Sequence, residues 1–278
     1  MATMPLTGKA LRLERLSRAD DGRYLFVPLD HSVSDGPIVG AARFPALVAD
    51  IAEGGADAVV VHKGRARLIP PALLTRTGLV VHLSASTNAG PDADAKVLVG
   101  DVEECVRLGA DAVSVHVNIG SDTEPAQLSD LGAVAAACER WGMPLIAMVY
   151  PRGPRVADPN RPDLVAHAVN VAADLGVDIV KTVLAAPPER MAEVVESSPL
   201  PVVVAGGGGS GGIEAFARSA LETGCAGLAV GRRVFTSPSP RQTVASLTAI
   251  VHPGGLADRR GPSSSRSSST SPELAGAL

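Results

Sequence analysis

The sequence predicts a (β/α)8 barrel of the TIM-barrel class, with a short N-terminal helix before it and a disordered C-terminal tail after it. Three observations predict it. Apolar strand patterns alternate strictly with helical ones, the alternation counts eight, and the strands are continuously apolar, as in a parallel sheet covered on both faces. Four segments repeat one grammar: "GGADAVVVH" (54–62), "LGADAVSVH" (108–116), "LGVDIVKT" (175–182) and "TGCAGLAVG" (223–231). Each has a glycine suited to end a helix, a short link, and then a strand. "RYLFVPLDH" (23–31), "GLVVHLS" (78–84), "PLIAMVY" (144–150) and "PVVVAGG" (201–207) complete the eight. Between them lie the helical patterns "FPALVADIAEGG", "VEECVRLGA", "LGAVAAACERWG", "PDLVAHAVNVAADLG", "PERMAEVVESS" and "IEAFARSALETG". A doubly wound open sheet is the competing architecture, but the first βα turn, "LDHSVSDGP", lacks the G-x-G-x-x-G of a dinucleotide fold.

A chain of 278 residues, 46% hydrophobic, can bury a core of this size. The expected organisation is an N-terminal helical extension over 1–22, the barrel over 23–252, and a tail over 253–278 too rich in Ser, Pro and Gly to join a core. A net charge of −4 with a pI near 5.9 supplies no basic footprint for nucleic acid. Neither a signal-peptide core nor a membrane-length apolar run is visible. The three cysteines, Cys105, Cys138 and Cys225, are far apart and odd in number, and read as reduced thiols of a cytoplasmic protein.

In a barrel of this kind the chemistry sits at the strand C-termini. Read in order, these are Asp30-His31, His62-Lys63, His82, His116 to Asn118, Tyr150, Lys181, Gly206-Gly207 and Gly231-Arg232. Lys181 is the informative one. It is one of four lysines in the chain, it lies inside an apolar strand, and it shares parity with Ile179, so both point into the barrel. A lysine there loses solvation, and its neutral amine can attack a carbonyl to form a Schiff base. The alternative is a buried ion pair with Asp30 or Asp178. "VVVAGGGGSGGIEAF" and "AVGRRVF" add a glycine loop, a helix opening near Ile213 and Arg232 after strands seven and eight, the usual phosphate position of such barrels. Together these features suggest a phosphorylated carbonyl substrate. His31, His62, His82 and His116 leave a metal-dependent barrel enzyme open as an alternative, although no H-x-H or H-E-x-x-H spacing accompanies them. A non-catalytic phosphosugar-binding barrel is a third reading.

"LDHSVSDGP", "EGGADAVVVHKG", "LGADAVSVHVNIGSD", "ERWGMPLIAMVYPRG", "DIVKT", "PVVVAGG" and "AVGRRVF" resemble, in order and at consistent spacing, the archaeal-type class I fructose-bisphosphate aldolases. They look closest to the branch of the 2-amino-3,7-dideoxy-D-threo-hept-6-ulosonate synthases and the related bacterial aldolases of aminohydroxybenzoate formation. The resemblance implies Lys181 as the Schiff-base lysine, Tyr150 as proton donor and Asp30 as the acid/base residue. It also implies phosphate and substrate contacts at His31, Ser32, Val33, Ser34, Pro151, Arg152, Gly206, Gly207, Gly231 and Arg232, no metal or other cofactor, and a homo-oligomer. The implied reaction joins a ketone phosphate (dihydroxyacetone phosphate or a 6-deoxy-5-ketofructose phosphate) to L-aspartate 4-semialdehyde, giving a seven-carbon amino-keto acid. The fructose-bisphosphate reaction is the alternative. For the head group of the aldehyde, position nominates Arg152, Lys63, Asn118 and Asp122. The chain departs from the family pattern in "GGGGSGG" after the double glycine and in the apolar "VLAAPP" after "DIVKT".

Overall fold

The computed structural model describes residues 7–206 and 211–255; Gly207 and residues 256–278 of the expected tail lie outside them. Eight parallel strands close into a barrel: β1 (Tyr24–Pro28), β2 (Ala58–Val61), β3 (Gly78–His82), β4 (Ala112–Ile119), β5 (Leu145–Pro151), β6 (Ile179–Thr182), β7 (Val202–Ala205) and β8 (Gly227–Ala229). Each pairs with its sequence neighbours, and β8 closes on β1 through Tyr24↔Gly227 and Leu25↔Leu228. Around them run α2 (Phe44–Gly54), α3 (Lys63–Ala66), α4 (Val102–Arg107), α5 (Glu124–Trp141), α6 (Pro162–Asp174), α7 (Met191–Glu196), α8 (Ile213–Glu222), α9 (Arg232–Phe235) and α10 (Pro240–Val251). Among the described residues no helix is long and apolar enough to cross a membrane.

Strand parity divides the core in two. Phe26, Ala58, Val60, Val80, Ala112, Ile146, Ile179 and Val203 fill the barrel interior, while Leu25, Val27, Val59, Val81, Val113 and Val204 face the helix ring. The strands are buried on both faces over nearly all of their length, which is why they read as unbroken apolar runs rather than alternating ones.

The repeated "GAD" and "GVD" have a specific structural reason. Asp57, Asp111 and Asp178 precede β2, β4 and β6, and each accepts a hydrogen bond from the first turn of the preceding strand: Leu25 N at 2.7 Å, Leu79 N at 2.9 Å and Leu145 N at 2.8 Å. Each carboxylate thereby satisfies a strand-end donor that would otherwise be orphaned under the barrel. The same three residues dock the N-terminal extension, in which α1 (Gly8–Leu16) starts from a Thr7 cap. Lys9 pairs with Asp178 at 3.1 Å, Arg15 with Asp111 at 2.8 Å, and Arg18 donates its backbone N–H to Asp57 at 2.8 Å. Leu16, wholly buried, enters the interior cluster, so α1 plugs the N-terminal end of the barrel.

Three helices are absent from the sequence reading, the four-residue α3 and α9 and the longer α10. α10 follows β8 and completes the ring, burying Val244, Leu247, Thr248 and Val251 at helical spacing. It meets α2 where Gly54 leaves room for it. A Cβ on Gly54 would lie 2.7 Å from that of Val244, and Thr248 Oγ1 donates to the Gly54 carbonyl at 3.0 Å.

Candidate active site

A cavity of about 430 Å³ opens at the C-terminal ends of the strands. Residues from every strand or the loop after it line it, and Lys181 lies near its base. Lys181 stands opposite Met148 on β5 and Val203 on β7, and is only 8% exposed. Its Nζ donates to Met148 Sδ at 3.6 Å, a weak acceptor that leaves the amine available to a ligand. Of the two candidate counter-ions, Asp178 is at the other end of the barrel, bound to Lys9 and Leu145 N. Asp30 is on the cavity wall, and its nearest basic partners are histidines: His31 Nδ1 at 3.4 Å and His82 Nε2 at 3.9 Å.

Burial alone raises the Asp30 carboxyl, but the charges of His82, Lys181, His31 and His62 around it outweigh burial and bring it below its ordinary value. Burial also drives His82 down to about 3, so at neutral pH this ring is uncharged. His82 Nδ1 shares a hydrogen with Ser114 Oγ at 2.9 Å, and its ring lies 5.2 Å from that of His62. Burial lowers His31 and His62 as well, and holds His116 well below the ordinary histidine value.

Tyr150 extends from β5 into the same space. The His116 ring meets it edge-on at 5.1 Å, and the Arg152 guanidinium lies 5.4 Å from its centroid. The turn carrying Arg152 requires glycine next: Gly153 has φ 145°, and a Cβ there would lie 2.0 Å from the Gly120 carbonyl oxygen. On the opposite flank Gly206, Gly231 and Arg232 line the wall. A Cβ on Gly231 would strike Pro28 O at 2.6 Å and His31 Cε1 at 2.8 Å, so only glycine lets β8 pass this close to the β1 loop. Arg233 ties the loops after β7 and β8 together, donating to Gly211 O at 2.6 Å.

The cavity thus gathers Asp30, His31, Val33, Ser34, Tyr150, Arg152, Lys181, Gly206, Gly231 and Arg232 from the sequence-derived set, whereas Ser32 and Pro151 do not line it. Three of the residues nominated for the aldehyde head group are elsewhere. Lys63 pairs with Glu104 at 2.8 Å, Asp122 pairs with Arg155 at 3.1 Å, and Asn118 is wholly buried. Asn118 instead holds its neighbours. Its Nδ2 donates to Asp94 O at 2.9 Å and its Oδ1 therefore faces His116 Nε2 at 2.9 Å, which puts the imidazole proton on that nitrogen.

Sequence reasoning missed Lys96, Asp94, Ser86 and Asp35, all on the cavity wall. Lys96 and Asp94 come from the long loop after β3, which a two-stranded antiparallel ribbon, Ser84–Ala85 with Val97–Leu98, folds back over the site. The available signal was the lysine itself, a rare residue here, in a polar βα loop on the catalytic face. Among the described residues no group of three or more His, Cys, Asp or Glu is arranged to hold a metal ion.

The chain is 50% identical over 250 residues to a 2-amino-4,5-dihydroxy-6-oxo-7-(phosphonooxy)heptanoate synthase of Streptomyces griseus, covering 89% of this chain and 91% of the relative. It is 41% identical over 247 residues to a 2-amino-3,7-dideoxy-D-threo-hept-6-ulosonate synthase of Halobacterium salinarum, covering 88% and 92%. Among solved structures, a Schiff-base-forming fructose-1,6-bisphosphate aldolase superimposes with a TM-score of 0.80 at 25% identity, covering 87% of this chain and 99% of that one. Residues 24–237, nearly the whole barrel, match the model of the DeoC/LacD family aldolases, and the chain belongs to that family.

Proposed function

We propose that this aldolase works through a Schiff base on Lys181 and joins dihydroxyacetone phosphate, or a closely related ketone phosphate, to L-aspartate 4-semialdehyde. The observation that carries the reading is a buried amine that no carboxylate among the described residues meets in an ion pair, in a cavity shared with Asp30 and Tyr150. The substrate pair follows from chemistry. The compound named for the Streptomyces griseus relative has hydroxyls at C4 and C5, a ketone at C6 and a phosphate at C7. An aldol bond joins the β-hydroxyl carbon to the carbon next to the ketone, here C4 to C5. Cutting it returns the amino-acid aldehyde and the ketone phosphate, with no atom lost. Such a product is a precursor for an aminohydroxybenzoate or a related aromatic compound.

In the forward direction the Lys181 amine adds to the ketone carbon, and Asp30 assists loss of water to the iminium. Loss of a proton from the adjacent carbon gives the enamine, which attacks the aldehyde carbon. Tyr150 supplies a proton to the aldehyde oxygen as it becomes a hydroxyl, and hydrolysis frees product and amine. Each such proton transfer contributes roughly 10²–10⁴ in rate. The phosphate lies against Gly206, Gly231 and Arg232. The protein is read as a cytoplasmic homo-oligomer; its three cysteines are buried free thiols, with burial raising Cys105 and Cys138 to about 12 and Cys225 to about 11, as suits a reducing compartment.

The test is borohydride reduction in the presence of dihydroxyacetone phosphate, followed by peptide mapping. The expected result is one irreversible adduct, on Lys181, absent from Lys181→Ala, with EDTA leaving turnover unchanged. An adduct on Lys63 or Lys96 instead, or loss of turnover with chelator, contradicts the assignment. The fructose-bisphosphate alternative is favoured by structural neighbours that are 25% identical or less. A kcat/KM tenfold higher for glyceraldehyde 3-phosphate, about 1.4 kcal/mol in transition-state preference, overturns the choice of acceptor.

A further inference from the structure

The loop from Ser86 to Lys96 plays no part in the carbon–carbon chemistry above, yet it is firmly built. The Asp94 carbonyl accepts from Asn118 Nδ2 at 2.9 Å and from Gln127 Nε2 at 2.8 Å, two side chains with essentially no solvent exposure. Ser86 Oγ donates to Ala93 O at 2.7 Å, while Lys96 Nζ donates to Ala93 O at 2.9 Å and to Ser86 Oγ. Buried amides committed to one loop carbonyl fix that loop, and the fixed loop fixes Lys96. Its ammonium is on the cavity wall beside Arg152, and neither Asp94 nor any other described carboxylate makes an ion pair with it. Burial, and then the Arg152 charge, lower Lys96 from its ordinary value, as expected for two cations that share too little negative charge. The same rim also carries carboxylates. Asp94 Oδ1 lies 3.9 Å from Arg152 Nη1, and Asp35, whose Oδ1 accepts from Asn88 Nδ2 at 2.7 Å, also lines the cavity.

We propose that this rim is a head-group site for an α-amino acid aldehyde, in which Lys96 and Arg152 receive the carboxylate while Asp94 and Asp35 receive the ammonium. The proposal rests on the aldolase reading above and names the residues that choose its acceptor. Paired signs are the reason to prefer a zwitterion over a phosphate. A phosphate head would gain the two cations but face two carboxylates, a repulsion that an amino acid converts into a contact. The phosphate of the ketone donor has its own partners on the far flank, at Gly206, Gly231 and Arg232.

The experiment compares kcat/KM for four aldehydes at saturating dihydroxyacetone phosphate: L-aspartate 4-semialdehyde, succinic semialdehyde, which lacks only the amino group, butanal, which lacks both charges, and D-glyceraldehyde 3-phosphate. Lys96→Gln is expected to reduce the preference for succinic semialdehyde over butanal at least tenfold, and Lys96→Arg to retain it. Asp94→Asn is expected to reduce the preference for aspartate semialdehyde over succinic semialdehyde by a similar factor. Ratios within twofold of wild type in Lys96→Gln and Asp94→Asn, or a wild-type preference for glyceraldehyde 3-phosphate, overturn the proposal. Because a ratio compares aldehydes on the same preparation, partial misfolding of a variant cancels. Formation of the Lys181 borohydride adduct is measured in parallel without any aldehyde, so failure of the Schiff-base assignment is distinguished from failure of the rim.

Discussion

Replacing His252 by Ala removes a charged bolt from the floor of the barrel, and the cost can be worked from the contacts. The His252 side chain is wholly enclosed, with Nε2 2.9 Å from Asp57 Oδ2 and Nδ1 2.8 Å from Asp21 Oδ2. A ring flanked by two carboxylates donates from both nitrogens only as the imidazolium. Burial disfavours that cation, but hydrogen bonds and charge from Asp57 and then Asp21 outweigh burial and raise His252 above the ordinary histidine value. Losing one partner of a buried pair costs about 3–5 kcal/mol. Asp57 keeps the Arg18 and Leu25 N–H donors, at 2.8 and 2.7 Å, so the low end of that range applies. For a chain of this size each kcal/mol is worth roughly 2–4 °C, which gives a fall in Tm of about 6–12 °C. The sign with pH is fixed by the direction of the shift. A raised folded pKa contributes stability that is fully present below the unfolded value, about 6.5, and is lost as pH rises through the folded value. Thermal unfolding of wild type and His252→Ala from pH 6 to pH 9 should show the gap widest at pH 6 and narrowing upward. A gap that stays constant or grows with pH refutes the charged-imidazole argument.

Two further outcomes are expected. Arg232→Ala should raise KM for the ketone phosphate about 10- to 150-fold, the range for a lost charge-assisted hydrogen bond of roughly 1.5–3 kcal/mol, and weaken inhibition by inorganic phosphate; an unchanged KM moves the phosphate off this flank. Deleting residues 256–278 should leave Tm and kcat unaltered, because the segment offers little apolar surface to bury; lost turnover assigns it a role at the site.

The strands were legible because a parallel barrel buries both faces, which writes each strand as an apolar run, and because the glycine before each link marks where a helix stops. Lys181 was legible because a charge inside such a run is anomalous. Lys96 and Asp94 were not, because apart from the rare lysine the polar run "STNAGPDADAKV" has the composition of a solvated loop; their placement depends on Asn118 and Gln127, which reach the loop from β4 and α5. Asn118 misled for a related reason. A polar residue near a strand end can point into the cavity or support the loop above it, and sequence position alone does not separate the two. α10 was missed although its apolar spacing is regular, since "PRQTVASLTAIV" is diluted by small polar residues on its outer face.

Aligning the repeats on the floor residue shows why the lysine is where it is. Asp57, Asp111, Asp178 and, in the fourth repeat, Ala226 precede the even-numbered strands, and alternate residues beyond them point inward in successive layers. The lowest layer is Ala58, Ala112, Ile179 and Gly227, small or apolar, directly above the α1 plug. The uppermost is His62, His116, Val183 and Gly231, all on the cavity wall. Lys181 belongs to the layer between, with Val60, Ser114 and Ala229. It therefore starts one layer below the rim histidines, and its four-carbon stem carries the amine up to the cavity base, where Nζ lies 3.6 Å from Met148 Sδ. A lysine one layer higher would reach the solvated mouth, and one layer lower it would be sealed beneath the side chains of the middle layer. The anchoring aspartates set this register from below, so the residues that hold the floor also determine the depth at which the amine meets its carbonyl.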